Sequence, residues 1–278
     1  MATTVPRPPV RHVADRRARR RRLLAVVAVG VVLLVLASLA VLRWEHSAAP
    51  EVFAPSFAGP DQLVTNEYAH RHPDRPGVHR SDDWEVTSGS LYRRGGVGWT
   101  GVPDAATPDA ESATGTGSSV FRMTTRRHDF ENVRVSLRLR TLGLTDRGRE
   151  APAGTDGVHL FLRWQDETEL YVVSLNRRDD RMVIKKKLNG GQVNGGTYVT
   201  LGQADYPVPL GAWQSFEVTI TTTPSGSVGI DVRQGDRLLL AATDGGANGR
   251  PITGAGAVGV RGDNCEFELD LLRVGPAE

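Results

Sequence analysis

Cysteine is almost absent from the 278-residue chain, in which Cys265 stands alone. An intrachain disulfide is therefore impossible, and a folded domain must be stabilised by its hydrophobic core. Asn-x-Ser/Thr sequons are absent too, so N-glycosylation says nothing about the compartment. Cys265 precedes a predicted strand, where a small, partly buried thiol is the ordinary outcome. No Cys-His or Ser-His-Asp arrangement is recognisable, which disfavours acyl-transfer chemistry.

Lysine is scarce as well, because Lys185, Lys186 and Lys187 are its only occurrences. The net charge of +2 conceals a basic segment at residues 1–22, where eight arginines face a single acid, Asp15. The rest of the chain is therefore net negative. Nucleic-acid binding needs a basic face on a folded domain, so this distribution argues against it.

The only long apolar run is Leu23–Leu42, twenty residues without a charge. At 1.5 Å per residue a helix of this length spans about 30 Å, the hydrocarbon thickness of a bilayer. Retention of the arginines of residues 1–22 in the cytoplasm would orient the carboxy-terminal bulk outward. The sequence thus predicts a single-pass anchor, with cleavage near Ala48 and Ala49 as the alternative. Residues 43–60, rich in Ala, Pro and Ser, are predicted to be a tether.

From Asp61 onward helical periodicity is lacking, and alternation of apolar and polar residues takes its place. Val133–Arg140 is the clearest strand, with Val133, Val135, Leu137 and Leu139 on one face. Further strands are predicted at 84–87, 90–93, 158–164, 171–176, 182–187, 213–221, 227–232, 237–242, 257–261 and 266–274. So many short strands predict an all-β fold, a two-sheet antiparallel jelly-roll sandwich over residues 61–278. The loops 101–119 and 143–157 are candidate rims of a binding face.

Several segments together carry a family resemblance. They include W-x-V-x-S-G-x-L at Trp84–Leu91, G-V-H-L-F-L-R-W at Gly157–Trp164, W-Q-S-F-E-V-T-I at Trp213–Ile220 and F-E-L-D-L-L-R-V at Phe267–Val274. This order resembles the concanavalin A-like lectin/glucanase superfamily, particularly laminin G-like jelly-roll domains and relatives of family 16 glycoside hydrolases. The resemblance implies a sandwich fold, whereas fold analogy alone does not settle function.

Family 16 hydrolases use an E-x-D-x-x-E strand that carries a nucleophile and an acid/base. The nearest match here starts at Glu266 and continues through Glu268 and Asp270, but Arg273 occupies the position of the second catalytic Glu. No catalytic residue is therefore assigned, and a structural role is favoured for these carboxylates. Calcium is a possible cofactor, since many superfamily members bind it, and Asp263, Asn264 and Asp270 are its candidate ligands.

Sugar binding needs aromatic faces that stack on pyranose rings and polar groups that hydrogen-bond to hydroxyls. Predicted neighbouring strands offer this mixture, and the lysine triplet in an otherwise arginine-based chain favours a functional patch. A solvated outer face, with lysines protecting an edge, is the alternative interpretation. The candidate ligand-binding residues are Trp99, Arg163, Trp164, Tyr171, Asn176, Arg177, Lys185 and Lys187.

The sequence therefore predicts a membrane-anchored, extracytoplasmic domain that binds a cell-envelope or extracellular polysaccharide. Two alternatives remain open. A glycoside hydrolase would need two carboxylates facing one groove. A module that docks an envelope protein of glycan synthesis or export would need a flat apolar patch.

Overall fold

The computed structural model describes residues 52–105 and 119–277, which belong to a compact unit that begins at Val52. Phe53 and Phe57, in the segment predicted as tether, are buried in its core. Residues 1–22 and the predicted anchor 23–42 lie outside the described residues. Within the described ranges, no helix has the length and apolarity needed to cross a bilayer.

The described part of the chain contains fifteen strands and one five-residue helix, joined by turns and loops. The helix, α1, is Glu67–Arg71. The strands are β1 Gln62–Asn66, β2 Trp84–Ser88, β3 Ser90–Arg94, β4 Val97–Trp99, β5 Val120–Thr125, β6 Val133–Leu144, β7 Gly157–Trp164, β8 Leu170–Arg177, β9 Arg181–Val193, β10 Gly196–Asp205, β11 Gln214–Thr222, β12 Val228–Gln234, β13 Arg237–Asp244, β14 Ala257–Asp263 and β15 Cys265–Pro276.

These strands form two antiparallel sheets. The eight-stranded sheet has the order β1-β3-β4-β15-β6-β11-β12-β13, and the seven-stranded sheet has the order β10-β9-β8-β7-β14-β5-β2. The predicted all-β class is confirmed, and the two sheets are consistent with a jelly-roll sandwich. The predicted strands 171–176 and 182–187 fall within β8 and β9, which pair with Tyr171 opposite Lys186.

The core lies between the two sheets and follows the alternation of the strands. In β6, Val135, Leu137 and Leu139 are at most 2% exposed, while the intervening residues are half-buried on the outer side. Leu160 and Leu162 of β7 are completely buried in the same cluster. Burial of these aliphatic side chains supplies the main stabilisation that a domain without disulfides needs.

Two other features concern the start of the described chain and the hairpin of β9 and β10. Phe53 and Val274 exchange backbone hydrogen bonds of 2.9 and 2.8 Å, so the start of the described chain is joined to β15. On the other sheet, β9 and β10 form a long hairpin, near whose tip Asn194 adopts a positive φ of 46°. This tip reaches the outer face of the seven-stranded sheet, where Asn194 lines three adjoining cavities.

Candidate ligand-binding site on the seven-stranded sheet

The outer face of the seven-stranded sheet carries a polar row of side chains that crosses the strands. Its members lie opposite each other in register, and such cross-strand neighbours have Cβ atoms about 4.5–5.5 Å apart. The polar row runs through Ser174 of β8, His159 of β7, Arg261 of β14, Arg122 of β5 and Ser88 of β2.

An apolar row lies beside the polar row. Phe161 of β7 pairs with Val172 of β8, and Val172 pairs with Lys185 of β9. Phe161, Leu170 and Val172 form a small hydrophobic cluster, separate from the main core, against which Trp164 and Tyr198 pack. The sheet therefore buries apolar side chains on both of its faces.

A central cavity of about 270 Å³ opens above the two rows. It is lined by residues of both rows together with Tyr198, Asp263 and the hairpin tip. An adjoining cavity of about 420 Å³ shares Thr155, Asn194, Arg261 and Asp263 with it. Thr155 belongs to the loop 143–157 that the sequence indicated as a binding rim.

Asp263 is the ionic centre of the site. Arg261 donates hydrogen bonds of 2.7, 2.8 and 3.0 Å to its carboxylate, and His159 Nε2 lies 3.4 Å from Oδ2. Burial alone would raise the pKa of Asp263, but the hydrogen bond from His159 and the charge of Arg261 outweigh it and lower the pKa to about 2. The carboxylate is therefore ionised at neutral pH.

His159 joins Asp263 to Ser174, whose Oγ lies 2.9 Å from Nδ1 of the imidazole. Burial lowers the pKa of His159 by more than the neighbouring Asp263 raises it. The imidazole is accordingly neutral at pH 7, and one ring nitrogen donates while the other accepts. Ser174, His159 and Asp263 thus form one hydrogen-bonded chain along the floor of the central cavity, a Ser-His-Asp arrangement that the sequence did not reveal, in which Ser174 is only 1% exposed.

The neutral state of buried His159 makes the domain sensitive to mild acid. Because the folded pKa lies below the ordinary 6.5, the unfolded chain takes up a proton first as the pH falls below that value. We expect the free energy of unfolding to decrease from pH 7.5 to 5, by at most about 1.4 kcal/mol per pH unit for this one group. Urea unfolding at several pH values measures this slope.

The matched variants are His159→Gln and His79→Gln. His159→Gln should flatten the slope between pH 7.5 and 5, whereas His79→Gln, at an exposed position, should leave it unchanged. Asp263 affects the free energy of unfolding in a lower pH range than His159. Its stabilising charge is lost only as the pH falls from 3.8 through about 2. An unchanged slope in His159→Gln would contradict this assignment.

Three of the predicted ligand-binding residues lie at the cavities. Lys185 lines the central cavity, and Lys187 and Trp164 line a narrow cleft beside it. Lys187 donates hydrogen bonds to the carbonyl oxygens of Glu167 at 2.5 Å and Asn194 at 3.4 Å. Its ammonium therefore holds the hairpin tip against the sheet.

The other predicted ligand-binding residues lie elsewhere. Tyr171 donates from its hydroxyl to Asp244 at 2.6 Å inside the core, and Asn176 donates to Thr141 of the opposite sheet at 2.9 Å. Arg163 is 1% exposed and donates to the carbonyl of Ile252 at 2.7 Å. The candidate ligand-binding residues therefore do not share one polar face of the sheet, because alternate residues of β8 point to opposite sides.

Arg177 and Trp99 also have internal partners. Arg177 is 6% exposed and ion-paired with Asp179. Trp99 belongs to the eight-stranded sheet, where its Nε1 donates to Glu266 at 2.8 Å. Both side chains therefore contribute to the structure away from the central cavity.

The predicted calcium ligands do not converge. Asp263 is paired with Arg261, whereas Asp270 lies on the other sheet, 3.6 Å from Arg138. The side-chain amide of Asn264 donates to Asp156 at 3.0 Å. In the part of the chain that the structure describes, no group of three or more His, Cys, Asp or Glu is arranged to hold a metal ion.

The carboxylates of the hydrolase-like strand are also held internally. Glu268 is ion-paired with Arg94 at 2.6 Å and with Arg140, and its side chain is 4% exposed. Glu266 accepts the hydrogen bond from Trp99. These partners fit the structural role that the sequence favoured for the strand.

Sequence reasoning did not single out the residues that build most of the site. His159, Phe161, Arg261 and Tyr198 line the central cavity together. The alternation of β7 places His159 and Phe161 on one face, and this signal was visible in V-H-L-F-L-R-W. Arg261 was placed at the end of the predicted strand 257–261 without a functional role, and the strand that carries Tyr198 was not predicted.

No family model matches the chain, and no curated protein matches it. Among solved structures, the carbohydrate-binding module CBM66 from Bacillus subtilis is 10% identical, with a TM-score of 0.46 over 69% of this chain and 95% of that one. A glycoside hydrolase family protein from Mycobacterium thermorestibile is 14% identical, with a TM-score of 0.46 over 80% and 99%. A legume lectin-like domain from Entamoeba histolytica is 8% identical, with a TM-score of 0.44 over 70% and 91%. Such distant likenesses do not identify a function.

Proposed function

We propose that the domain binds carbohydrate on the outer face of the seven-stranded sheet. The observation that carries this proposal is the pairing of an apolar row with a polar row inside one cavity. Tyr198 presents the surface of a half-buried ring, and Arg261 and Asp263 present hydrogen-bonding groups, to a space whose floor includes the buried side chains of Phe161 and Ser174. Sugars combine apolar ring faces with fixed hydroxyl groups, so this arrangement suits them.

Unsatisfied polar atoms support the same proposal. The Oγ of Ser119 and the Oδ1 of Asn264 are buried and have no hydrogen-bond partner among the described residues. Both residues line the adjoining cavity. Buried polar atoms without partners cost about 1–3 kcal/mol each. A ligand hydroxyl or water that reaches these atoms through a small shift of the lining side chains would remove that cost and use their hydrogen-bonding capacity beside the central cavity.

The direction of the rows indicates a chain-like ligand. Both rows cross the strands, and neighbouring strands lie about 4.8 Å apart. The polar row crosses five strands, so it extends for roughly 19 Å between its ends. A polysaccharide lying across the strands would contact both rows over several sugar units.

Binding is favoured over hydrolysis by the state of Asp263. A glycoside hydrolase needs one carboxylic acid that is protonated near its working pH. Asp263 instead has a pKa of about 2 and is engaged by Arg261 and His159. Glu167, which lines the neighbouring cleft, is ion-paired with Arg122.

We also propose that residues 23–42 anchor the chain in a membrane, with residues 1–22 in the cytoplasm and the domain outside. The uncharged run of twenty residues and the adjacent arginines support this placement. The ligand would then be a polysaccharide of the cell envelope or its surroundings. Resistance of the protein to alkaline extraction from membranes, combined with protease digestion of intact cells, tests both the anchor and the orientation.

Replacing Tyr198 by Ala tests the binding site. Loss of its ring surface should weaken affinity for any bound glycan by about tenfold or more, as expected for removal of an aromatic anchor. A glycan array with the wild-type protein identifies ligands, and calorimetry with each hit measures the change in Kd.

Tyr68→Ala is the matched control. Tyr68 stacks on His72 within and beside α1 and is not a lining residue of the central cavity. Its replacement should leave glycan affinity unchanged. A complete lack of glycan binding by the wild-type protein, or equal affinities of Tyr198→Ala and wild type, would rule out carbohydrate binding at this face.

A further inference from the structure

Four cationic side chains converge on the proposed binding face. Arg122 and Arg261 lie opposite each other on β5 and β14, and Lys185 and Lys187 lie two residues apart on one face of β9. All four line the central cavity or the narrow cleft beside it. Positive charge is therefore concentrated here, although the chain beyond residue 22 is net negative.

Carboxylates neutralise only half of this charge. Asp263 pairs with Arg261, and Glu167 pairs with Arg122. They are the acidic residues that line the central cavity and the narrow cleft. Among the described residues neither lysine is ion-paired with a carboxylate, so the side chains that line the two spaces carry a net charge of about +2.

The surroundings of the two lysines show where an anion would be accommodated. The ammonium groups of Lys185 and Lys187 lie 5.5 and 5.3 Å from the ring centre of Tyr198. Lys187 is hydrogen-bonded to carbonyl oxygens, whereas Lys185 is not ion-paired among the described residues. A tyrosine ring flanked by two ammonium groups offers a stacking surface and a charge partner together.

The cations also act on each other. Burial lowers the pKa of Lys187, and the charges of Arg261 and Arg122 lower it further. Burial and the charge of Arg177 likewise lower the pKa of Lys185. Like charges held together in a cavity raise the local potential, and a bound anion would relieve their repulsion.

We infer that the ligand is an acidic glycan, whose carboxylate, sulfate or phosphate group is held by Lys185 while a sugar ring stacks on Tyr198. This inference rests on the proposed carbohydrate-binding function and specifies its substrate class. The hydroxyl oxygen of Ser174 lies in the same cavity and retains the capacity to accept a hydrogen bond from a neutral sugar hydroxyl, whereas both ring nitrogens of His159 are already engaged.

Matched ligands test the charge requirement directly. The full chain, purified in detergent, is titrated by calorimetry with oligogalacturonate and with its methyl ester, which has the same sugars without the charge. Sulfated and unsulfated dextran oligomers form the second pair. We expect at least one acidic member to bind about tenfold or more tightly than its neutral counterpart, and its affinity to fall as the salt concentration rises from 50 to 300 mM.

Substitutions test whether the acidic group of the ligand binds at Lys185. Lys185→Gln should weaken binding of the acidic ligand about tenfold and leave any neutral ligand unaffected, while Lys185→Arg should largely retain binding. Arg237→Gln is the control, because Arg237 is an exposed cation on β13 of the other sheet. A circular dichroism spectrum confirms that each variant is folded.

The outcomes separate the two proposals. If the neutral and acidic ligands of each pair bind equally well and Lys185→Gln has no effect, the inference of an acidic ligand is wrong while the proposal of carbohydrate binding stands. If Arg237→Gln weakens binding as much as Lys185→Gln, attraction is nonspecific and the assigned site is wrong. If none of the glycans binds, the proposed function fails along with the inference.

Discussion

Replacing Lys186 by Met is expected to lower the free energy of unfolding by about 3–5 kcal/mol. Lys186 is completely buried, and its ammonium lies 2.9 Å from the carboxylate of Asp244, which is also buried. The ammonium further donates to the carbonyl oxygens of Gly249 and Arg250 at 2.8 and 3.2 Å. Removing it leaves a buried carboxylate without its counter-ion, which is among the most costly single changes in a core. Chemical denaturation measures the loss.

Lys185→Met is the matched control, since Lys185 is the preceding residue of β9 and points to the opposite face. We expect it to cost about 1 kcal/mol or less. The double variant Lys186→Met with Asp244→Asn should cost less than the sum of the single variants, because the uncompensated charge is removed. Equal losses in Lys186→Met and Lys185→Met, or additive losses in the double variant, would show that the buried pair has no special role.

Replacing Gly157 by Ala is expected to cost about 3 kcal/mol or more. Gly157 begins β7 with a φ of 140°, a conformation that side-chain-bearing residues rarely adopt. An added Cβ would lie 1.9 Å from the carbonyl oxygen of Asn176 on β8. The backbones of β7 and β8 would have to separate at the strand end where Asp263 is paired across the sheet with Gly157. Thermal and urea unfolding both report the change.

Gly143→Ala provides the comparison in a strand of the eight-stranded sheet. Gly143 lies in β6, has no positive φ, and its added Cβ would meet no atom within 4 Å. Its replacement should change stability by about 1 kcal/mol or less, in the stabilising direction if the unfolded chain loses freedom. A Gly157→Ala protein as stable as Gly143→Ala would contradict the close approach of β7 and β8.

The sheet architecture was predictable wherever one face of a strand is apolar. β6 shows this most clearly, because valine and leucine alternate with polar residues along Val133–Arg140. β10 was missed, because Gly196–Asp205 is half-buried or exposed over most of its length and contains few bulky apolar residues. Pairing with β9, rather than its own composition, makes this segment a strand.

The site was predictable only in part. Alternation places Lys185 and Lys187 on one face and Lys186 on the other, but it does not reveal which face meets the core. In β8 all eight residues are buried, so polarity did not distinguish Tyr171 in the core from Ser174 in the cavity. The meeting of His159 with Asp263 depends on β14 lying beside β7, a pairing between distant segments that local patterns do not encode.

The bridge between Phe53 and Val274 determines how tension would enter the domain. A pull on the chain ahead of Phe53 acts first on two backbone hydrogen bonds and on the edge-on contacts of the Phe53 ring with Trp84 and Phe130. Val274 is paired in turn with Val135 of β6, so the load passes into the middle of the eight-stranded sheet. Among the described residues, resistance to such a pull thus begins at Phe53, which is held by the backbone of β15 in one sheet and by the ring of Trp84 from β2 in the other.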